Sequence, residues 1–254
     1  MQIDRPALSS NIQALSSINM PTLDICFSPE LLPLYQLKGK VAVVVDVLRA
    51  TSSIVAALAA GVTHVVPFAE LADCRAQAAH GYLTAAERDG RQAEGVDLGN
   101  SPFGYLDGKV AVRGRAVALT TTNGTRALHL SAAADEIVVG AFLNLGAVAD
   151  HLRRLNQDVV VVCAGWKGLF CLEDTLFGGA LAARLAADFD TTGSDATLAA
   201  LDLWAAAAPD LAGYLLRSAH VRRLNSLEAN QDMAFCIRQD EYDLVPVFRN
   251  GRIQ

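Results

Sequence analysis

The stretch Val41-Ala-Val-Val-Val-Asp-Val-Leu-Arg-Ala-Thr-Ser-Ser-Ile54 decides how the chain is read. Val41 to Val45 are a continuous apolar run rich in β-branched residues, the pattern of a strand covered on both faces in a parallel sheet. Asp46 breaks that run where a parallel strand would leave its sheet. Thr51 to Ala60 predict a helix, with Gly61 just past its end. Ligands of open α/β sheets bind outside the carboxyl ends of strands, so Asp46 and the polar residues after it mark a small-molecule site.

The pattern extends outward in both directions. Leu23 to Phe27 predict a short strand, and Ser28-Pro29 opens a brief helical or looped segment to Leu37. Val62 to Phe68 are extended, with Pro67 ending the strand or placing it at an edge. Leu71 to Ala79 predict a helix, and Tyr82 to Ala86 a strand that ends at Glu87-Arg88-Asp89-Gly90. Gly95 to Pro102 read as a structured loop. Ala116 to Leu119 predict a strand, and a helix runs from the following polar turn to about Ala133. Glu136 to Val139 are a further strand, and Asn144 is placed to cap a helix over Ala147 to Leu155. Asp158 to Val162 predict a strand, Cys163 to Gly168 a turn, and Glu173-Asp174 the entry to a helix through Leu185. Gly193 to Ala208 and Pro209 to Leu216 predict helices, and Met233 to Arg238 and Leu244 to Phe248 two closing strands. Alternating strands and helices indicate a layered α/β domain with a largely parallel or mixed sheet. Residues 1–21, with a weak helical pattern around Ile12, Leu15 and Ile18, read as an N-terminal extension. No low-complexity linker divides residues 22–254, which are expected to form a single domain.

Composition narrows the function. The 254 residues are 52% hydrophobic and 19% charged, which supports a sizeable core and argues against disorder. Mean hydropathy is +0.28, yet no run reaches the roughly 18 apolar residues of a membrane span. A net charge of −6 and a pI near 5.3 leave no basic footprint for nucleic acid. An anionic substrate therefore needs local Arg residues, helix N-termini or a divalent cation. Cys26, Cys74, Cys163, Cys171 and Cys236 lack zinc-type spacing and read as buried thiols of a reducing compartment. No signal peptide is evident, so a cytoplasmic location is expected. An apolar chain of this size is also compatible with a homodimer.

Three strands end in polar turns that open helices: Asp46–Ser53, Thr120–Arg126 and Cys163–Asp174. Helix N-termini favour anions through unpaired N–H groups and the positive end of the dipole. The hydroxyls of Thr121, Thr122 and Thr125, with Asn123 and the close approach allowed at Gly124, suit phosphate or sulfonate oxygens. A helix cap with a β-turn uses the same residues. Asp46 is costly to bury unpaired; it either pairs with Arg49 or binds a hard cation. Arg49 is correspondingly an anion clamp or the partner of Asp46. Glu87 reads as a second metal ligand, a general acid/base, or a solvated turn residue. Glu173 and Asp174 complement the dipole of the helix they open and are further metal candidates. Cys163 reads as a small buried hydrophobe. No Walker motif, G-x-S-x-G elbow or G-x-G-x-x-G is present.

At these residues the chain resembles the 2-phosphosulfolactate phosphatase family, the ComB-like proteins. The resemblance rests on Asp46-Val-Leu-Arg-Ala-Thr-Ser-Ser53, Glu87-Arg88, Gly95-Val-Asp-Leu-Gly-Asn-Ser-Pro102 and Thr120-Thr-Thr-Asn-Gly-Thr125. It continues through Cys163-Ala-Gly165, Leu172-Glu-Asp174, Asp232-Met-Ala-Phe-Cys236 and Asp243-Leu-Val-Pro-Val-Phe248. The resemblance implies a three-layer α/β/α fold and a Mg²⁺-dependent phosphomonoesterase that converts 2-phosphosulfolactate to sulfolactate and phosphate in coenzyme M biosynthesis. Joined to the residues, it implies Mg²⁺ on Asp46 and Glu87, and catalysis by Asp46, Glu87 and Arg49. Arg49, Thr51 and Ser52 would take one anionic group, and Asn100 with Thr121 to Thr125 the other. Direct attack by metal-activated water is favoured over a phosphoenzyme at Asp46. Two positions depart from the family pattern: Cys171 replaces a small hydroxyl residue, and Val221 follows Ser218-Ala-His220 where Gly is expected. A phosphatase of another phosphorylated 2-hydroxy acid, a non-catalytic binder of small anionic metabolites, and a Mg²⁺-dependent lyase or isomerase are the alternatives.

Overall fold

In the computed structural model, which describes residues 20–224 and 227–254, every residue of Val41–Val45 is buried in a strand. In chain order the strands are β1 (Leu23–Cys26), β2 (Val41–Val45), β3 (His64–Pro67), β4 (Leu83–Arg88), β5 (Arg91–Gln92), β6 (Ala116–Thr120), β7 (Glu136–Gly140), β8 (Val159–Cys163), β9 (Val247–Arg249) and β10 (Arg252–Ile253). The helices are α1 (Ala50–Ala59), α2 (Leu71–Ala76), α3 (Phe103–Leu106), α4 (Gly124–Leu130), α5 (Leu145–Leu155), α6 (Leu172–Leu185), α7 (Asp195–Ala207), α8 (Leu211–Leu215), α9 (Ala219–Arg223) and α10 (Leu227–Cys236). Among the described residues no helix is long and apolar enough to cross a membrane. The helical pattern expected around Ile12, Leu15 and Ile18 lies outside the described residues.

The strands form one mixed sheet in the order β1-β8-β2-β7-β9-β10-β3-β6-β4-β5. β1, β8, β2 and β7 are a parallel block, and β3, β6 and β4 are a second one. The hairpin β9–β10 joins the blocks by pairing antiparallel with β7 and β3. The three antiparallel steps between β7 and β3 reverse the second block relative to the first. The carboxyl ends of β2, β4 and β6 meet, as the contacts among Asp46, Glu87, Thr122 and Gly124 show.

Side-chain alternation along β2 divides the core. Val41, Val43 and Val45 pack with Phe142, Phe177 and Leu181 on one face. Ala42 and Val44 pack with Ile54, Leu119 and Leu128 on the other. A strand buried on both faces is what a central position between two helical layers requires, so the fold is the expected three-layer α/β/α arrangement.

Several local expectations change. Met233 to Arg238 are not a strand, because Met233–Cys236 end α10. Asp232 and Phe235, and Met233 and Cys236, are buried pairs three residues apart, a helical spacing that a short apolar run hides. Of Leu244 to Phe248 only Val247 and Phe248 enter a strand. Asn144 precedes α5 but does not cap it: its Oδ1 accepts from Ala141 N–H, and its Nδ2 donates to the carbonyls of Val139 and Leu244. Pro67 closes β3 in the sheet interior. The short elements β5 and α3 flank the Gly95–Pro102 loop, which joins β4 through a Leu98–Ala85 bridge and through hydrogen bonds between Asp97 and Thr84.

Candidate active site

The β2–α1 turn is tied down by its own hydroxyls. Asp46 N–H donates to Thr51 Oγ1 at 3.0 Å, and that hydroxyl donates to the Asp46 carbonyl at 2.9 Å. Ser52 Oγ donates to the Val47 carbonyl and Ser53 Oγ to the Asn100 carbonyl, both at 2.8 Å. Thr51 and Ser52 are thus buried beneath the turn and hold Asp46 in place. The Asp46 carboxylate accepts from the Ala50 N–H at 3.2 Å.

The other two turns converge on this one. A Cβ on Gly124 would lie 2.7 Å from Ala50 Cβ and 3.0 Å from Asp46 Oδ2, so only glycine lets α4 start against Asp46. Thr125 Oγ1 donates to the Thr121 carbonyl, and Thr121 Oγ1 accepts from the Thr125 N–H. Thr122 donates to Glu87 through both its N–H, at 3.2 Å, and its hydroxyl, at 3.1 Å. Asn123 Oδ1 accepts from the Lys167 N–H of the third turn. Asp174 joins the third turn to the first, accepting from Val47 N–H at 2.9 Å and Gly165 N–H at 3.0 Å. Glu87 is not a solvated turn residue: it is buried within β4 and accepts from the Gly90 N–H.

Arg49 does not pair with Asp46. Its guanidinium is buried against Asp232 of α10 and donates to the Gly90 carbonyl at 2.8 Å. Asp232 in turn accepts from Ser101 Oγ at 2.6 Å. Arg49, Arg91, Gln92, Asn100, Ser101 and Asp232 line a cleft of about 690 Å³. Asn100 Oδ1 is buried there without a hydrogen-bond partner. A buried polar atom of that kind is costly unless a ligand or water meets it.

The carboxylates share a poorly screened space. Burial raises the Asp46 carboxyl to about 6, and the charges of Glu87 and Glu173 add to the rise against the pull of the Ala50 N–H and His220. Burial also drives Asp174 well above the usual carboxylate range, reinforced by Asp46 and Glu173. Burial pushes Glu173 the same way, but the hydrogen bond and charge of His220 outweigh it and leave the net shift downward. Cys171, Glu173 and His220 are buried together, with their donor atoms within 4.8 Å of one another. Cys163 is a fully buried thiol whose pKa burial holds high, in keeping with a hydrophobic role.

The structure thus links Asp46, Glu87, Gly124, Thr121, Thr122, Thr125 and Asp174 through contacts among three adjoining turns, and Arg49 and Asn100 line the cleft. Sequence reasoning did not assign His220 or Asp232. Each lies far along the chain from its partner, 47 residues from Glu173 and 183 from Arg49. The signals marking their segments were the family likeness of Asp232–Cys236 and, after Ser218-Ala-His220, Val221 in place of the family's Gly.

A sequence profile described as 2-phosphosulpholactate phosphatase matches residues 26–251. A protein of Caldanaerobacter subterraneus named "Probable 2-phosphosulfolactate phosphatase" is 38% identical over 222 residues, 86% of this chain and 91% of the relative. One so named from a Synechococcus species is 43% identical over 212 residues, 81% and 87% of the two chains. Another from Pseudothermotoga lettingae is 39% identical over 231 residues, 91% and 97%.

Proposed function

Because the chain belongs to the 2-phosphosulfolactate phosphatase family, we propose that it hydrolyses 2-phosphosulfolactate to sulfolactate and phosphate with Mg²⁺ at Asp46 and Glu87. The observation that carries this reading is the buried Asp46 carboxylate, held at the meeting point of three helix-opening turns and disfavoured by neighbouring acids. Such a group suits a hard cation, and carboxylate oxygens are the donors Mg²⁺ prefers. A bound Mg²⁺ supplies charge neutralisation at the phosphoryl oxygens and a lowered pKa for water.

The chain's own groups do the rest in this reading. Asp46, fixed by Ala50 and Thr51, and Glu87, fixed by Gly90 and Thr122, hold the cation. The turn Thr121–Asn123 and the first residues of α4 position the phosphoryl group beside Asp46, where the helix dipole favours an anion. Thr51 and Ser52 act from beneath by shaping the α1 turn. Arg49 lines the cleft and orients the anionic remainder of the substrate, and Asn100, whose unpaired Oδ1 accepts hydrogen bonds, takes a substrate hydroxyl or water there. Asp174 serves as a clamp between turns.

Phosphate release from a panel of phosphorylated 2-hydroxy acids, with and without Mg²⁺, tests the proposal. The sulfonated substrate is expected to turn over only with the metal, and Asp46→Asn to abolish that turnover without unfolding the chain. Preferred turnover of a carboxylate analogue would assign a different phosphorylated 2-hydroxy acid. No phosphate from any member with any divalent ion would overturn the phosphatase reading.

A further inference from the structure

We propose that Cys171, Glu173 and His220 form a second cation site, selective for borderline ions such as Zn²⁺ or Co²⁺ and separate from the oxygen ligands at Asp46 and Glu87. The three side chains come from the start of α6 and from α9, and are 3%, 1% and 6% exposed. Their sulfur, carboxylate oxygen and imidazole nitrogen lie within 4.8 Å of one another, with Cys171 Sγ 3.8 Å from His220 Nδ1. A tetrahedral ion with typical metal–sulfur and metal–nitrogen bonds holds those two atoms roughly 3.5 Å apart, so side-chain rotations that open the His220–Glu173 hydrogen bond complete the fit.

The donor set defines the ion. A thiolate and an imidazole with one carboxylate favour Zn²⁺ or Co²⁺, whereas Mg²⁺ favours oxygen throughout. Three protein ligands leave a fourth position for water or a ligand atom. Groups behind the ligands are also in place. Ser218 Oγ donates to Glu173 Oε2 at 3.3 Å, and the Trp166 ring stands 5.0 Å from the His220 ring. Outer groups of this kind orient metal ligands. On binding, the cation replaces the Cys171 thiol proton, which leaves to solvent, and takes the place of the hydrogen bond between His220 Nδ1 and Glu173, with the imidazole proton carried on Nε2.

Co²⁺ titration of the full chain in saturating Mg²⁺ tests the site directly, without substrate. One Co²⁺ per chain with a thiolate-to-metal charge-transfer band is expected, and Zn²⁺ should displace it. Cys171→Ser should remove the band and weaken Zn²⁺ binding by more than about 100-fold, beyond what loss of an outer-shell partner costs. Cys74→Ser, at a buried thiol elsewhere in the fold, should keep the band. His220→Gln provides a second loss variant if Cys171→Ser does not fold. No charge-transfer band in the wild-type chain, or a band unchanged in Cys171→Ser, would overturn the proposal. Either result leaves the phosphatase reading standing, since that is measured by phosphate release.

Discussion

Gly124 and Asp46 meet so closely that a Cβ on the glycine would lie 3.0 Å from Asp46 Oδ2. Helix α4 therefore starts against the carboxylate at the end of β2, although the two belong to different parallel blocks of the sheet. This contact makes one site of two turns 78 residues apart in the chain, by their positions 124 and 46.

Gly124→Ala must move Ala50, Asp46 or the start of α4. Overpacking of this kind costs about 1–3 kcal/mol of stability, which denaturant unfolding will measure. Displacing catalytic groups by about 1 Å can cost 10²-fold in rate. The phosphatase kcat/KM is therefore expected to fall by about that factor in a variant that remains folded.

The pH response of Asp46 has a defined sign. Its carboxyl has an ordinary value of 3.8 and about 6 in the fold, with burial as the main cause. Between those values the native state keeps a proton that the unfolded chain has released, so this group's contribution to stability falls as pH rises. Above both, the cation-free protein bears a cost on the order of 3 kcal/mol. Mg²⁺ binding to the ionised carboxylate offsets that cost. The Mg²⁺-induced rise in Tm should be larger at neutral pH than near pH 5, and Mg²⁺ affinity should fall about tenfold per unit below the raised pKa. Thermal melts of wild type and Asp46→Asn check this; an equal Mg²⁺ shift at both pH values in wild type would contradict it.

Arg49 and Asp232 are buried partners. Arg49→Met leaves Asp232 without its charge partner, and loss of one member of a buried pair costs about 3–5 kcal/mol. The double variant Arg49→Met with Asp232→Leu should recover part of that loss, a coupling that urea unfolding of all four proteins will resolve.

Asp174 accepts from the N–H groups of Val47 and Gly165. Asp174→Ala strands both, at about 1–3 kcal/mol for each unsatisfied buried group. A lowered unfolding midpoint is expected, with faster hydrogen exchange at Val47 and Gly165; unchanged exchange there would contradict the clamp.

Much of the fold was legible because burial writes itself into local pattern. Val41–Val45 read as a doubly covered strand, and its odd and even residues do enter two different cores. The end of β2 at Asp46 and the helices after Asp46, Thr120 and Cys163 followed from periodicity and turn composition. Met233–Cys236 misled because a four-residue apolar stretch suits either a strand or a helix until its partners are known.

What the sequence determined by itself was the set of strands, the polar turns at their ends and the likeness to one family, all properties of contiguous residues. The tertiary structure decided the pairings. It turned Arg49 from Asp46 to Asp232, buried Glu87 under Thr122, spent the Thr51 and Ser52 hydroxyls on backbone, and brought His220 and Cys171 to Glu173. The physical reason is range. Backbone propensity and hydrophobic period act over a few residues, whereas a buried charge takes whichever partner the completed sheet sets beside it.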